Sequence, residues 1–308
     1  MTAILAAPRG FCAGVSRAIE AVETALREFG PPVYVRHEIV HNRHVVDRLR
    51  AMGAVFVDEV ADARPDRPLV FSAHGSPARA HGEARARGVT LIDAACPLVL
   101  KVHAQVRRFV REGRHVVVVG HADHVEVDGV VGQAEAHNFT LVETVADAET
   151  VALPAGPLAY VTQTTLSVDD AQAVIERLKA RRPDILAPRS EDICYATSNR
   201  QDAVKAVAAR APTVLVVGSP TSSNSRRLVE VALQSGAREA RLVDDPDAFD
   251  PDALAGRASV GVTAGASSPE DLVEALLARL AGRFALSVET VETAREDVVF
   301  KPPPVRAP

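Results

Sequence analysis

Cys12, Cys96 and Cys194 are the only thiols in 308 residues, and they stand 84 and 98 residues apart. An odd number of cysteines is a poor basis for a disulfide framework, and no CxxC pair is present. Thiolates select zinc, copper(I) or iron–sulfur clusters. A structural zinc takes four ligands, usually with cysteines paired in a CxxC knuckle. Three isolated thiolates with one of the ten histidines could still bind zinc. An iron–sulfur cluster normally takes four cysteines, so three would leave one iron open, and an open metal position is where substrate can bind. The residues alone leave zinc and iron–sulfur undecided. The plain alternative is three incidental buried thiols in a reduced protein. Against it, each cysteine interval is close to one small α/β unit, and each cysteine lies ahead of a helical pattern. This reads as three lobes with a cysteine at each junction, although no clean internal repeat is found.

The positioning elements follow from the apolar pattern. Strand-like runs occur at Val33 to Arg36, Leu69 to Ala73, Thr90 to Ile92, Val116 to Val119, Leu158 to Thr162, Thr213 to Val217 and Ala258 to Thr263. Helical patterns lie between them, among them Arg17 to Phe29, Asp169 to Arg181, Gln201 to Arg210, Arg226 to Gln234 and Pro269 to Leu280. Alternating strands and helices predict an α/β protein with mainly parallel sheets. Six strand-like runs end in polar turns: "FSAHGSP", "DAACPL", "VVGHADHVEVDG", "VTQTTLSVDD", "VVGSPTSSNS" and "VTAGASSPED". Parallel sheets bind ligands beyond the carboxyl ends of their strands, so six such turns point to a shared site. Neither a GxGxxG fingerprint nor a phosphate loop is present, and nucleotide cofactors are not indicated.

Within these turns, "TSSNSRRL" and "GASSPEDL" are hydroxyl-rich and open helical patterns, which suits either plain N-caps or an anion site. "HADHVEVDG" puts His124 and Glu126 on one side of the chain if that stretch is extended, a pair able to relay a proton or an ordinary surface pair. "RHEIVHNRH" spaces His37, His41 and His44 near one face of a helix.

Composition narrows the class. Apolar residues make up 47% and charged residues 24%, ordinary for a globular protein. Net charge is −5, only Lys101, Lys179, Lys205 and Lys301 are lysines, and the arginines are scattered. No basic block exists for nucleic acid or an anionic membrane, and neither is expected as a partner. The longest apolar runs are far too short to span a bilayer. The N-terminus has no signal-peptide layout, and a cytoplasmic protein is expected.

Nine stretches in order and in register carry a family resemblance: "PRGFCAGVSRAI", "VRHEIVHNRHVV", "FSAHG", "DAACPLVLKVH", "GHADHVEVDG", "TQTTLSVDD", "DICYATSNRQ", "GSPTSSNSRRL" and "VTAGASSPEDL". Together they resemble the 4-hydroxy-3-methylbut-2-enyl diphosphate reductase family, the last enzymes of the non-mevalonate isoprenoid pathway. The resemblance runs from Met1 to about Phe300 and leaves out only the Pro-rich tail "KPPPVRAP". It implies three small α/β lobes arranged as a trefoil around a central 4Fe–4S cluster, one per subunit, held by Cys12, Cys96 and Cys194. The expected division is 14–96, 97–193, 194–282 with 1–13, and a C-terminal extension 283–308. Gly10 and Gly14 would let the Cys12 turn bend. His41, His74, Ser222, Ser223, Asn224 and Ser267 would bind the diphosphate. Glu126, Thr164 and His124 would be catalytic, the last two also touching substrate. The family pattern has Pro between His124 and Glu126, where this chain has Val125. The implied reaction is reductive dehydroxylation to isopentenyl and dimethylallyl diphosphate, with ferredoxin or flavodoxin as electron donor. Two rivals are a zinc-dependent hydrolase of a phosphorylated substrate and a two-lobed binding module.

Overall fold

The structure is a computed structural model that describes residues 1–306. Among the described residues the strands form three sheets, and the α/β class with mainly parallel strands is as expected. The chain divides into two compact units. One comprises Met1–Ala13, His41–Val45 and Tyr195–Val299; the other comprises Gly14–Val40, Val46–Cys194 and the segment from Phe300 onward.

The first unit holds a five-stranded, all-parallel sheet in the order Glu239–Val243, Thr213–Val217, Ser259–Ala264, Thr2–Ala7, Ser287–Glu292. Alternation along its strands builds a core on each face, as the two-residue period of a strand requires. Ile4, Ala6, Val214 and Val216 pack with Val204, Val207, Leu228 and Val231 from the helices Tyr195–Ala208 and Ser223–Gln234. Ala3, Leu5, Leu215 and Val217 pack on the other face with Val273, Leu276 and Leu280 of the helix Glu270–Ala281. Fully burying each of the Val, Leu and Ile side chains is worth roughly 1.5–3 kcal/mol.

The second unit holds two sheets. One runs Val305–Arg306, Leu91–Asp93, Leu69–Phe71, Val33–Arg36, Ala54–Val57, parallel except at Val305–Arg306. The other is parallel in the order Phe139–Val142, His115–Val119, Leu158–Thr162. Val116 and Val118 face the helix Pro97–Arg111 through Val102, Val106 and Phe109. Val117 and Val119 face the helix Val168–Arg181 through Ala171, Val174 and Leu178.

The segment 283–308 supplies two edge strands, Ser287–Glu292 and Val305–Arg306, and its last two residues lie outside the described ones. Several helices begin earlier than their apolar pattern predicts: at Ala13, Tyr195 and Ser223 rather than Arg17, Gln201 and Arg226. Their first turns are rich in Gly, Ser, Thr and Asn, poor helix formers that tertiary contacts nevertheless hold helical. The helices therefore start directly on the polar strand-end turns.

Two local expectations are corrected. His37, His41 and His44 do not share a helix face, because the helix runs Arg43–Ala51 and His37 has a left-handed φ of +59°. Buried Asn42 marks the start: its side-chain oxygen accepts the Val45 N–H at 3.2 Å, satisfying a free donor of the first turn. The stretch from His124 to Glu126 is not extended, since Val125–Val131 is a helix with His124 as its N-cap.

Candidate functional site

The three cysteines occupy equivalent local positions. Cys12 immediately precedes the helix Ala13–Phe29, Cys96 the helix Pro97–Arg111, and Cys194 the helix Tyr195–Ala208. Each is half-buried and none is in a disulfide. A helix start presents N–H groups without intrahelical partners and the positive end of the dipole, so a negative ligand is favoured there. Gly10 opens the Cys12 turn with a left-handed φ of +67°, and an added Cβ would meet the Ser268 carbonyl at 3.2 Å. Gly14 plays no such part: it is already helical.

In the first unit, three adjacent parallel strands deliver the polar turns to one sheet edge. Thr2–Ala7 leads to Cys12, Thr213–Val217 to Ser222, Ser223 and Asn224, and Ser259–Ala264 to Ser267. Hydrogen bonds join them. The Cys12 N–H donates to the Ala266 carbonyl at 3.3 Å, and the Ala266 N–H donates to the Asn224 side-chain oxygen at 2.8 Å. The Ser267 hydroxyl donates to the His41 carbonyl at 2.9 Å and lies 3.4 Å from the Ser222 hydroxyl. Ser222 caps the helix Ser223–Gln234, taking the Ser225 N–H at 3.2 Å. His41, Ser222, Ser223, Asn224 and Ser267 thus gather as one hydroxyl- and amide-rich cluster at a capped helix start, beside Cys12.

In the second unit, Glu126 is the central group. It is fully buried on the first turn of the helix Val125–Val131. One carboxylate oxygen accepts the Thr164 N–H at 2.7 Å and the other accepts the Thr164 hydroxyl at 2.9 Å. Burial pushes the Glu126 carboxyl up to about 7, even though both Thr164 bonds act downward; the charge of Asp192 adds to the rise. A carboxyl poised near neutrality can hold a proton and release it. His124 accepts the Glu126 N–H on Nδ1 at 3.2 Å, so its neutral form carries the ring proton on Nε2. The His74 ring stands edge-on to His124, with centroids 6.0 Å apart. Thr164 also reaches a thiol-bearing residue, since its carbonyl accepts the Cys194 N–H at 3.2 Å. The Cys96 N–H donates to the Ala73 carbonyl at 2.9 Å, one residue before His74.

Asp192 was not among the sequence candidates. It is buried two residues before Cys194, takes the Gln105 amide at 2.8 Å and the Thr162 N–H at 3.2 Å, and stands 3.4 Å from the Lys101 ammonium. Burial raises its carboxyl as well. A lone Asp at the start of "DICYATSNRQ" carries no periodic signal; only its burial distinguishes it. His37 lies 3.8 Å from Asp58, and His44 bonds the Asp244 carbonyl at 2.9 Å; both have structural partners.

The donor set has the chemistry of a thiolate-held group. Among the described residues, no three His, Cys, Asp or Glu side chains are gathered as ligands of a single metal. A zinc hydrolase needs such a group, and that alternative finds no support. Three soft thiols at helix starts, none consumed in a disulfide, are suitable donors for an iron–sulfur cluster.

The fold is that of an α/β enzyme whose units carry three thiols at helix starts, a hydroxyl- and amide-rich cluster in the first unit and, in the second, a buried carboxyl poised near neutrality. The chain belongs to the LytB protein family, whose sequence model matches residues 3–281. It is 55% identical over 305 residues to the 4-hydroxy-3-methylbut-2-enyl diphosphate reductase of Phenylobacterium zucineum, covering 98% of this chain and 96% of that one. Identity to the reductase of the same name from Paracoccus denitrificans is 55% over 306 residues, covering 99% and 97%. The solved structure of the E-1-hydroxy-2-methyl-but-2-enyl-4-diphosphate reductase from Plasmodium falciparum matches with a TM-score of 0.94 at 37% identity, covering 98% of this chain and 95% of that one. Among the described residues no helix is long and apolar enough to cross a membrane.

Proposed function

We propose that the chain is a 4-hydroxy-3-methylbut-2-enyl diphosphate reductase, an oxidoreductase of the non-mevalonate isoprenoid pathway. It replaces the allylic hydroxyl of its substrate by hydrogen, consuming two electrons and two protons and releasing water, to give isopentenyl and dimethylallyl diphosphate. The observation that carries this reading is the Glu126–Thr164 pair: a buried carboxyl poised near pH 7 and bonded to a hydroxyl.

Cys12, Cys96 and Cys194 would hold a 4Fe–4S cluster, one per subunit, which when bound supplies single electrons and an iron free to take an alcohol oxygen. The chain's own residues do the rest. His41, Ser222, Ser223, Asn224 and Ser267 receive the diphosphate, with His74 and His124 as further donors; the helix start under Ser222 favours the anion. Thr164 holds the substrate hydroxyl and passes it a proton that Glu126 supplies. Water then leaves in place of hydroxide, a form of general acid help worth roughly 10²–10⁴-fold. His124 caps the turn that carries Glu126 and keeps the carboxyl aimed at Thr164.

Electrons come from a ferredoxin or flavodoxin in the cytoplasm, since the sequence has no flavin or nicotinamide fingerprint of its own. The test is anaerobic purification followed by turnover with a chemical reductant. Brown protein with iron and acid-labile sulfide that converts the substrate to both products supports the proposal. Colourless protein with one zinc per chain refutes it. Glu126→Gln is expected to keep substrate binding and lose most turnover.

A further inference from the structure

Each helix that begins at a cysteine carries a basic residue little more than one turn in: Arg17, Lys101 and Arg200, at five, five and six positions after Cys12, Cys96 and Cys194. Each of these cations grips the backbone just ahead of the next cysteine. The Arg17 guanidinium donates to the carbonyls of Ala94 and Ala95 at 3.2 and 3.0 Å, the two residues before Cys96. The Lys101 ammonium donates to the Glu191 carbonyl and the Ser190 hydroxyl and pairs with Asp192, the run leading to Cys194. The Arg200 guanidinium donates through two nitrogens to the Gly10 carbonyl at 3.0 and 2.8 Å, and to the Phe11 carbonyl at 3.3 Å, the two residues before Cys12. In sequence the pattern is cyclic: the helix of one cysteine holds the turn of the next.

These contacts pin the peptide groups that carry the thiols. A planar trans peptide points its C=O and the following N–H in opposite directions. At Cys96, Arg17 holds the Ala95 carbonyl while the Cys96 N–H is held by Ala73 at 2.9 Å. At Cys12, Arg200 holds the Phe11 carbonyl while the Cys12 N–H is held by Ala266 at 3.3 Å. At Cys194 the grip falls further upstream, on Glu191 and Asp192, and the Cys194 N–H is held by Thr164 at 3.2 Å. Arg17 and Arg200 are themselves buried and further anchored, Arg17 to the Lys301 carbonyl at 2.7 Å and Arg200 to Glu296 at 2.9 Å.

We infer that Arg17, Lys101 and Arg200 are positioning residues for the three thiolates, fixing the turns from which the sulfurs are presented. This rests on the reading that the three cysteines hold one iron–sulfur cluster.

The test uses anaerobically reconstituted full-length protein. Iron and sulfide per chain, the rate of cluster loss to a chelator, the electron paramagnetic resonance spectrum of the reduced protein and the unfolding midpoint without cluster are measured. Lys101 is the most exposed of the three, so Lys101→Met is the decisive variant. Losing the partner of buried Asp192 is expected to lower its unfolding midpoint without cluster while it stays folded. Yet it should lose the cluster several-fold faster and show an altered spectrum, with Lys101→Arg restoring both. Arg17→Lys, which keeps the charge but cannot grip two carbonyls in the same fork, is expected to lose cluster at an intermediate rate. Arg111→Met, an exposed change at the far end of the Lys101 helix, should match wild type. Wild-type cluster retention in both Lys101→Met and Arg17→Lys, or equal loss in Arg111→Met, overturns the inference. A wild-type protein that takes up no iron and sulfide instead overturns the proposed cofactor.

Discussion

Glu126 and Thr164 meet twice: the Thr164 N–H donates to one carboxylate oxygen at 2.7 Å and its hydroxyl donates to the other at 2.9 Å. The first turn of one helix is thereby fastened to the carboxyl end of the strand Leu158–Thr162. Both carboxylate oxygens are engaged, so the group cannot swing, and the Thr164 hydroxyl is held in one orientation.

That carboxyl should leave a signature in stability. Glu126 ordinarily titrates at 4.5 and is pushed up to about 7 in the folded chain. The folded state therefore binds the proton more tightly: its contribution is fully present below pH 4.5 and is lost as pH rises through 7. The loss is about 3 kcal/mol. His103, buried and lowered from 6.5 to about 4, acts in the opposite sense: its neutral form supports the fold above pH 6.5, and that support is lost as pH falls toward 4. It is common to wild type and Glu126→Gln, so their difference reports Glu126 together with its coupling to Asp192. In urea titrations without cluster, the variant should gain on wild type by up to about 3 kcal/mol between pH 4.5 and 7.5. Parallel pH profiles would show that Glu126 is not held protonated by the fold.

Removing only the hydroxyl tests the relay. Thr164→Val keeps the shape and the backbone bond to Glu126 but deletes the side-chain donor. It should lower kcat by about 10²-fold or more with little change in KM, and Thr164→Ser should recover most of it. Steady-state kinetics decide the matter: equal kcat in the Val variant removes Thr164 from the proton path.

The turn after His74 tolerates no side chain. Gly75 has a left-handed φ of +81°, and a Cβ there would lie 2.7 Å from His103 Cε1 and 3.0 Å from a Val99 methyl. Gly75→Ala combines backbone strain with overpacking and should cost about 3 kcal/mol. Thermal or urea unfolding reads this directly, and a change below about 0.5 kcal/mol would mean the turn rearranges freely.

Val125, where the family pattern has Pro, is the first residue of its helix. That position suits Pro, because its N–H has no intrahelical partner and φ is already helical. His124 before it is extended, with ψ of 129°, as a residue preceding Pro must be. Val125→Pro should therefore stabilise the chain by about 0.4–1 kcal/mol, through a less mobile unfolded state. A lower urea midpoint for the variant would refute the assignment of Val125 to the first helical position.

The sequence by itself determined the central strands, the polar turns at their ends and the residue types those turns carry. Val116 to Val119 and Val214 to Val217 are buried on both faces, so an unbroken apolar run marks them without outside help. The edge strand Ser287–Glu292 is exposed and polar and gave no such mark. Tertiary structure alone decided where the helices begin, because Gly, Ser and Asn in their first turns form helix only when distant contacts hold them. It decided too that Glu126 is buried against Thr164, 38 residues away. The Arg17, Lys101 and Arg200 clamps also belong to it, since each partner lies 77 or more residues distant along the chain. A local pattern records what a residue is and which face it lies on. The desolvation that moves a carboxyl toward neutrality, and the carbonyl that turns toward a guanidinium, depend on neighbours that only the folded chain brings close.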